Sequence, residues 1–193
     1  MALCLADSLL ECGGYDSWNV MDKYCKWQSE GYRSYFDYGE GIGMQTLIML
    51  DMYASGYAIV HKTMNRSDGA GNGVVMRLAP VVMAAYGKRD IRDVIRLAQV
   101  SARETHYSYE AEAAAILHNA IHLKNKADII DVSKYSTGAH YDQLLNKLKE
   151  RVETDKLKNK PGYVVYTLQI ALWGFMSYDT FEDGMLAVMC LGG

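Results

Sequence analysis

Proline is nearly absent from this chain of 193 residues: only Pro80 and Pro161 occur, where average usage of about 5% would give roughly ten. Helices can therefore run with few forced stops. No apolar run reaches the ~20 residues that a bilayer-crossing helix needs, because Thr167 and Gln169 interrupt the stretch 163–176. No basic residues precede the apolar positions at the N-terminus, so no secretory signal is read and a cytoplasmic setting is expected. Cysteine occurs four times, at Cys4, Cys12, Cys25 and Cys190, never as Cys-x-x-Cys; the common zinc and redox motifs are absent and buried thiols are expected. Basic charge is not in excess, with 20 Lys and Arg against 23 Asp and Glu interspersed along the chain, which argues against nucleic acid as a partner. No Gly-x-Ser-x-Gly is present to suggest an acyl-enzyme. No two aspartates are adjacent or spaced Asp-x-Asp, so no local motif supplies a dense carboxylate cluster for a hard cation.

Half the residues are apolar and 22% are charged, the balance of a globular protein, and the length suits one hydrophobic core and a single domain over 1–193. The apolar spacing is helical. Leu5, Leu9 and Leu10 suggest one buried face, and Val20, Tyr24 and Trp27 another, with Asp16 or Ser17 as its cap. Further helices are expected at 43–55, 74–87, 90–103, 108–125, 139–151, 162–177 and 179–190, giving an all-α fold. The segment 128–135 could be a short strand or a helical turn, and the charged run 146–160 reads as a solvated helix end and loop.

Two loops could carry chemistry. The run 65–73 places Gly69, Gly71 and Gly73 ahead of a helical segment, a composition that suits close approach of an anion to backbone N–H groups and equally suits a plain turn. The run 35–43 combines Asp37 and Glu40 with Gly39, Gly41, Gly43 and three aromatic rings; it could line a polar pocket or simply join two helices. His106, at a helix junction, could donate to a ligand or cap a carbonyl. His118 and His122, spaced i, i+4, have no third ligand at a recognised spacing, so half-buried or surface histidines are the better reading.

Three segments together resemble the ADP-ribosylglycohydrolase family. They are Gly71-Asn72-Gly73-Val74-Val75-Met76-Arg77-Leu78-Ala79-Pro80; Ala102-Arg103-Glu104-Thr105-His106 with Glu110-Ala111; and Gly162 to Leu168 continuing through Ala171 to Phe175, Phe181 to Asp183 and Leu191-Gly192-Gly193. The resemblance implies a compact, multi-helix, all-α domain. It also implies magnesium-dependent hydrolysis that releases ADP-ribose from protein side chains, with ADP-ribose or an ADP-ribosylated protein as partner. Carried onto this chain, Gly71, Asn72 and Gly73 would cradle the diphosphate through their N–H groups, Asp37 and Gly39 would lie over the ribose or nicotinamide side, and His106 would approach the ADP-ribose. Val74 stands where the family often has serine. Tyr35 and Tyr38 are further candidates for stacking.

The family's Thr-Asp-Asp-Thr-like and Asp-x-Asp-Thr motifs, which hold the two magnesium ions, do not occur in this chain. No metal ligand is therefore assigned, and the domain is expected to be partial, lacking its first and last metal-binding segments. Three readings stay open: a hydrolase, a catalytically inactive ADP-ribose or nucleotide binder, and an incomplete member of the family. Loss of flanking helices would also expose apolar faces and favour self-association.

Overall fold

The computed structural model describes residues 1–57, 69–85, 91–106, 108–121, 139–149 and 162–191. Ten helices lie among them, in the order α1 Ala2–Glu11, α2 Ser17–Glu30, α3 Met44–Ala54, α4 Gly73–Met76, α5 Ala79–Ala85, α6 Ile91–Thr105, α7 Tyr109–Ile121, α8 Ala139–Lys149, α9 Val164–Ser177 and α10 Phe181–Met189. The fold is all-α, as the apolar spacing predicted. The segment 128–135, the charged run beyond Lys149 and the side chains of His118 and His122 lie outside the described residues.

Local chemistry sets the helix ends. Asp16 caps α2, its carboxylate accepting the Asn19 N–H at 3.0 Å, and Gly31 ends it in the left-handed conformation at φ 67°. A side chain at Gly31 would meet the Phe36 carbonyl oxygen at 2.1 Å, so this turn is restricted to glycine. The single helix expected over 74–87 is broken instead into α4 and α5. Pro80 has no N–H to bond the carbonyl of Met76 four residues back, and its ring would crowd that carbonyl, so a helix cannot run through; in the first turn of α5 the missing donor costs nothing. The interruption leaves Arg77 between the two helices, with its side chain in the interior.

One connected core draws on Leu5 of α1, Val20 and Tyr24 of α2, Leu50 of α3, Leu78, Ala98 and Ala102 of α6, Ile116 of α7 and Leu168 of α9. The expected face of α1 needs correction. Cys4, Leu5 and Ser8 are its buried positions, while Leu10 is 82% exposed, because five residues at 3.6 per turn carry it roughly 140° round from Leu5. The cysteines also divide. Cys4 is buried and Cys25 partly so, but Cys12 and Cys190, each the residue that closes a helix at the surface, are exposed. Arg103 holds Glu112 through two hydrogen bonds of 2.9 and 2.8 Å, with Gln99 donating to the same carboxylate at 2.8 Å; this clamp fixes α6 against α7 across the junction that carries His106.

α9 and α10 are apolar well beyond what the core covers: Phe175, Met176, Phe181, Met185, Leu186 and Met189 are all exposed. A patch of this composition favours association. Size-exclusion chromatography with light scattering is expected to give a mass above that of the 21.6 kDa monomer; a monodisperse monomer with cooperative unfolding would argue against it.

Candidate functional site

The glycine loop is strapped to the entry of α9. The Asn72 N–H donates to the Gly162 carbonyl at 2.7 Å and the Val164 N–H to the Ala70 carbonyl at 3.0 Å, on either side of an antiparallel bridge between Gly71 and Tyr163. In such a pair the backbone groups of Gly71 itself point away from Tyr163. The Asn72 side chain adds a second strap, its Nδ2 donating to Thr167 Oγ1 at 3.1 Å. Asn72 is thus a staple, and its N–H, expected to face a diphosphate, is already taken. The N–H groups of Gly71, Gly73 and Val74 have no partner among the described residues and are the donors the loop can offer.

His106 is 2% exposed and forms the floor of this loop. A Cβ added at Gly71 would lie 3.2 Å from its Nε2, and one added at Gly73 would lie 3.3 Å from its Cε1 and 3.5 Å from Thr46 Oγ1. The imidazole therefore fills the space that side chains at these two positions would need. Burial, reinforced by the positive charge of Arg77, pushes the His106 pKa down to about 3, so the ring is neutral throughout the physiological range.

Beneath the histidine lies the buried guanidinium of Arg77. Its Nη1 donates to Ser101 Oγ at 2.7 Å and Tyr24 Oη at 3.2 Å, and its Nη2 to the Ser101 carbonyl at 2.7 Å and Thr105 Oγ1 at 2.6 Å. The guanidinium carbon also stands 5.2 Å from the centre of the Tyr24 ring, a cation–π distance. The Thr105 hydroxyl in turn lies 2.8 Å from His106 Nδ1. Glu104 is fully buried on the same helix, and neither carboxylate oxygen has a hydrogen-bond partner among the described residues. Burial raises its pKa to about 7, against the opposing pull of Arg77.

The structure brings Gly71, Asn72, Gly73 and His106 together, but the neighbours that fix Asp37 and Gly39 are on α2. The Asp37 backbone packs against Gly31, and Gly39 lies against Trp27 and Gln28, donating its N–H to the Gln28 carbonyl at 3.1 Å. Tyr35 and Tyr38 flank Phe36 with ring centroids 5.2 and 6.1 Å away, and Tyr35 is 95% exposed. This loop leads into α3, whose buried Thr46 reaches Gly73. Thr46, Thr105 and Thr167 were not singled out from sequence, although Thr105 and Thr167 lie within the segments that carry the family resemblance.

A divalent cation needs several converging hard ligands. No group of three His, Cys, Asp or Glu side chains among the described residues could hold one, and Glu104 faces a guanidinium. These residues do not fit a magnesium site. No helix among the described residues is long and apolar enough to cross a membrane.

The glycine loop, its histidine floor and the α9 strap are built from the three resembling segments, and the model of the ADP-ribosylglycohydrolase family matches residues 1–193. The chain belongs to the ADP-ribosylglycohydrolase family. It is 26% identical over 200 residues to an ADP-ribosylarginine hydrolase Tri1 of Serratia proteamaculans (strain 568), with all of this chain and 53% of that protein covered. A protein of the same name from Pseudomonas putida (strain GB-1) is 26% identical over 191 residues, covering 96% of this chain and 50% of the relative. A solved structure titled an ADP-ribosylglycohydrolase-related protein complex superposes with a TM-score of 0.72 at 34% identity, over all of this chain and 62% of that one. This ADP-ribosylglycohydrolase-family chain thus spans about half the length of the curated relatives it matches.

Proposed function

We propose that this chain binds ADP-ribose borne on protein side chains, arginine foremost, as the ligand-holding domain of a hydrolase that releases it. The observation that carries this reading is the loop of N–H groups at Gly71, Gly73 and Val74, without partners among the described residues, above the neutral His106. A diphosphate is recognised by convergent, fixed backbone donors, and glycine at 71 and 73 lets it approach the main chain closely. The two ADP-ribosylarginine hydrolases among the relatives support arginine as the linked residue. In the hydrolase reading magnesium would polarise an oxygen and activate water, with ligands drawn from outside the described residues. The second reading, binding without catalysis, is favoured by the lack of a metal-holding cluster among the described residues.

Calorimetric titration of ADP-ribose with magnesium and with a chelator separates the two. Binding that survives the chelator is expected, since the loop donors need no metal, and Gly73→Val is expected to abolish it by driving a side chain into His106 and Thr46. Binding that survives the chelator and tightens with magnesium would favour the hydrolase, and binding that magnesium leaves unchanged would favour the second reading. An absence of binding under both conditions would sink the proposal.

A further inference from the structure

We propose that Arg77, acting through the Thr105 hydroxyl, is a positioning residue that fixes His106 as the Nε2–H tautomer, with that proton held at the glycine loop for an acceptor oxygen of the ligand. The inference rests on the reading of the loop as a ligand site and goes further, to how its floor is set.

A guanidinium only donates, so the 2.6 Å contact from Arg77 Nη2 occupies a lone pair of Thr105 Oγ1. The hydroxyl keeps one proton of its own, and among the described residues the neighbour at hydrogen-bonding distance able to take it is His106 Nδ1, 2.8 Å away. The reverse arrangement, with Nδ1–H donating, would direct two N–H groups at one hydroxyl and leave the hydroxyl proton without an acceptor. Nδ1 is therefore the acceptor. A neutral imidazole then carries its proton on Nε2, and the charge of Arg77 opposes the doubly protonated ring.

Nε2 lies against Gly71 and Gly73 and has no partner among the described residues. An N–H directed at the loop, with no acceptor among the described residues, is available to a ligand oxygen that reaches it there. Arg77 is itself held by Ser101 and Tyr24, so the orientation is inherited from the core and precedes ligand binding.

Long-range proton–nitrogen NMR of the imidazole rings, with His106 assigned through His106→Gln, reads the tautomer directly in the protein without ligand. The expected spectrum shows His106 locked as Nε2–H. Thr105→Ser should keep that pattern, whereas Thr105→Val, nearly the same in shape, should mix the tautomers and weaken ADP-ribose binding about tenfold, the scale of one lost hydrogen bond. An Nδ1–H ring in the unaltered protein, or an unchanged tautomer in folded Thr105→Val, would overturn the proposal. If the unaltered protein binds no ADP-ribose, the functional reading fails while the spectrum still decides the role of Arg77 and Thr105.

Discussion

Arg77→Met is expected to destabilise the protein by about 3–5 kcal/mol, the scale of breaking a buried ionic arrangement by removing one partner. The guanidinium is 2% exposed and supplies four hydrogen bonds, to Tyr24, to both oxygens of Ser101 and to Thr105. Methionine matches much of the volume but donates nothing, so these buried oxygens lose their donor together. Glu104, buried with no hydrogen bond among the described residues, would also lose the positive charge that draws its pKa down. Urea denaturation monitored by circular dichroism measures the loss. Adding Glu104→Leu to Arg77→Met should return part of the stability, because the isolated carboxylate is then gone and an apolar pair can pack in its place. A double variant as weak as the sum of the two single changes would mean that Arg77 and Glu104 do not interact.

Much of this architecture was legible before the structure, because helical periodicity is a local property. The expected segment 43–55 became Met44–Ala54, 162–177 became Val164–Ser177, and Asp16 caps α2 as its position suggested. The two errors of spacing have local causes. Pro80 marked a boundary within 74–87, and Leu10 lies too far round α1 from Leu5 to share its face. The site was legible only in part. Gly71, Gly73 and His106 could be picked out, but the straps from Gly162 and Thr167 join residues some ninety positions apart, and no spacing rule reports such pairing. The buried state of Arg77 and Glu104 was invisible for the same reason: composition places charged residues at the surface, and only the break before Pro80 turns this arginine inward.

Glu104→Gln is expected to stabilise the protein at alkaline pH and to have little effect near pH 4. The folded-state pKa of Glu104 is raised to about 7, first by burial and against the opposing influence of Arg77, Tyr15 and Ser17. In the unfolded chain a glutamate titrates near 4.3. Between these values the folded protein holds a proton that the unfolded chain has released, so stability falls as pH rises through this window. Below it both states are protonated and the carboxyl is a neutral buried group. Above pH 7 both are ionised and the penalty is complete, on the order of 2–4 kcal/mol. Glutamine keeps the shape and never ionises, so its advantage should open between pH 4.5 and 7 and then hold level to pH 9. Urea midpoints of the two proteins across pH 4 to 9 give this difference directly, with every other titrating group cancelling between them. A difference that shrinks as pH rises would show that the charged form of Glu104 is the one the fold prefers, with Arg77 compensating it fully.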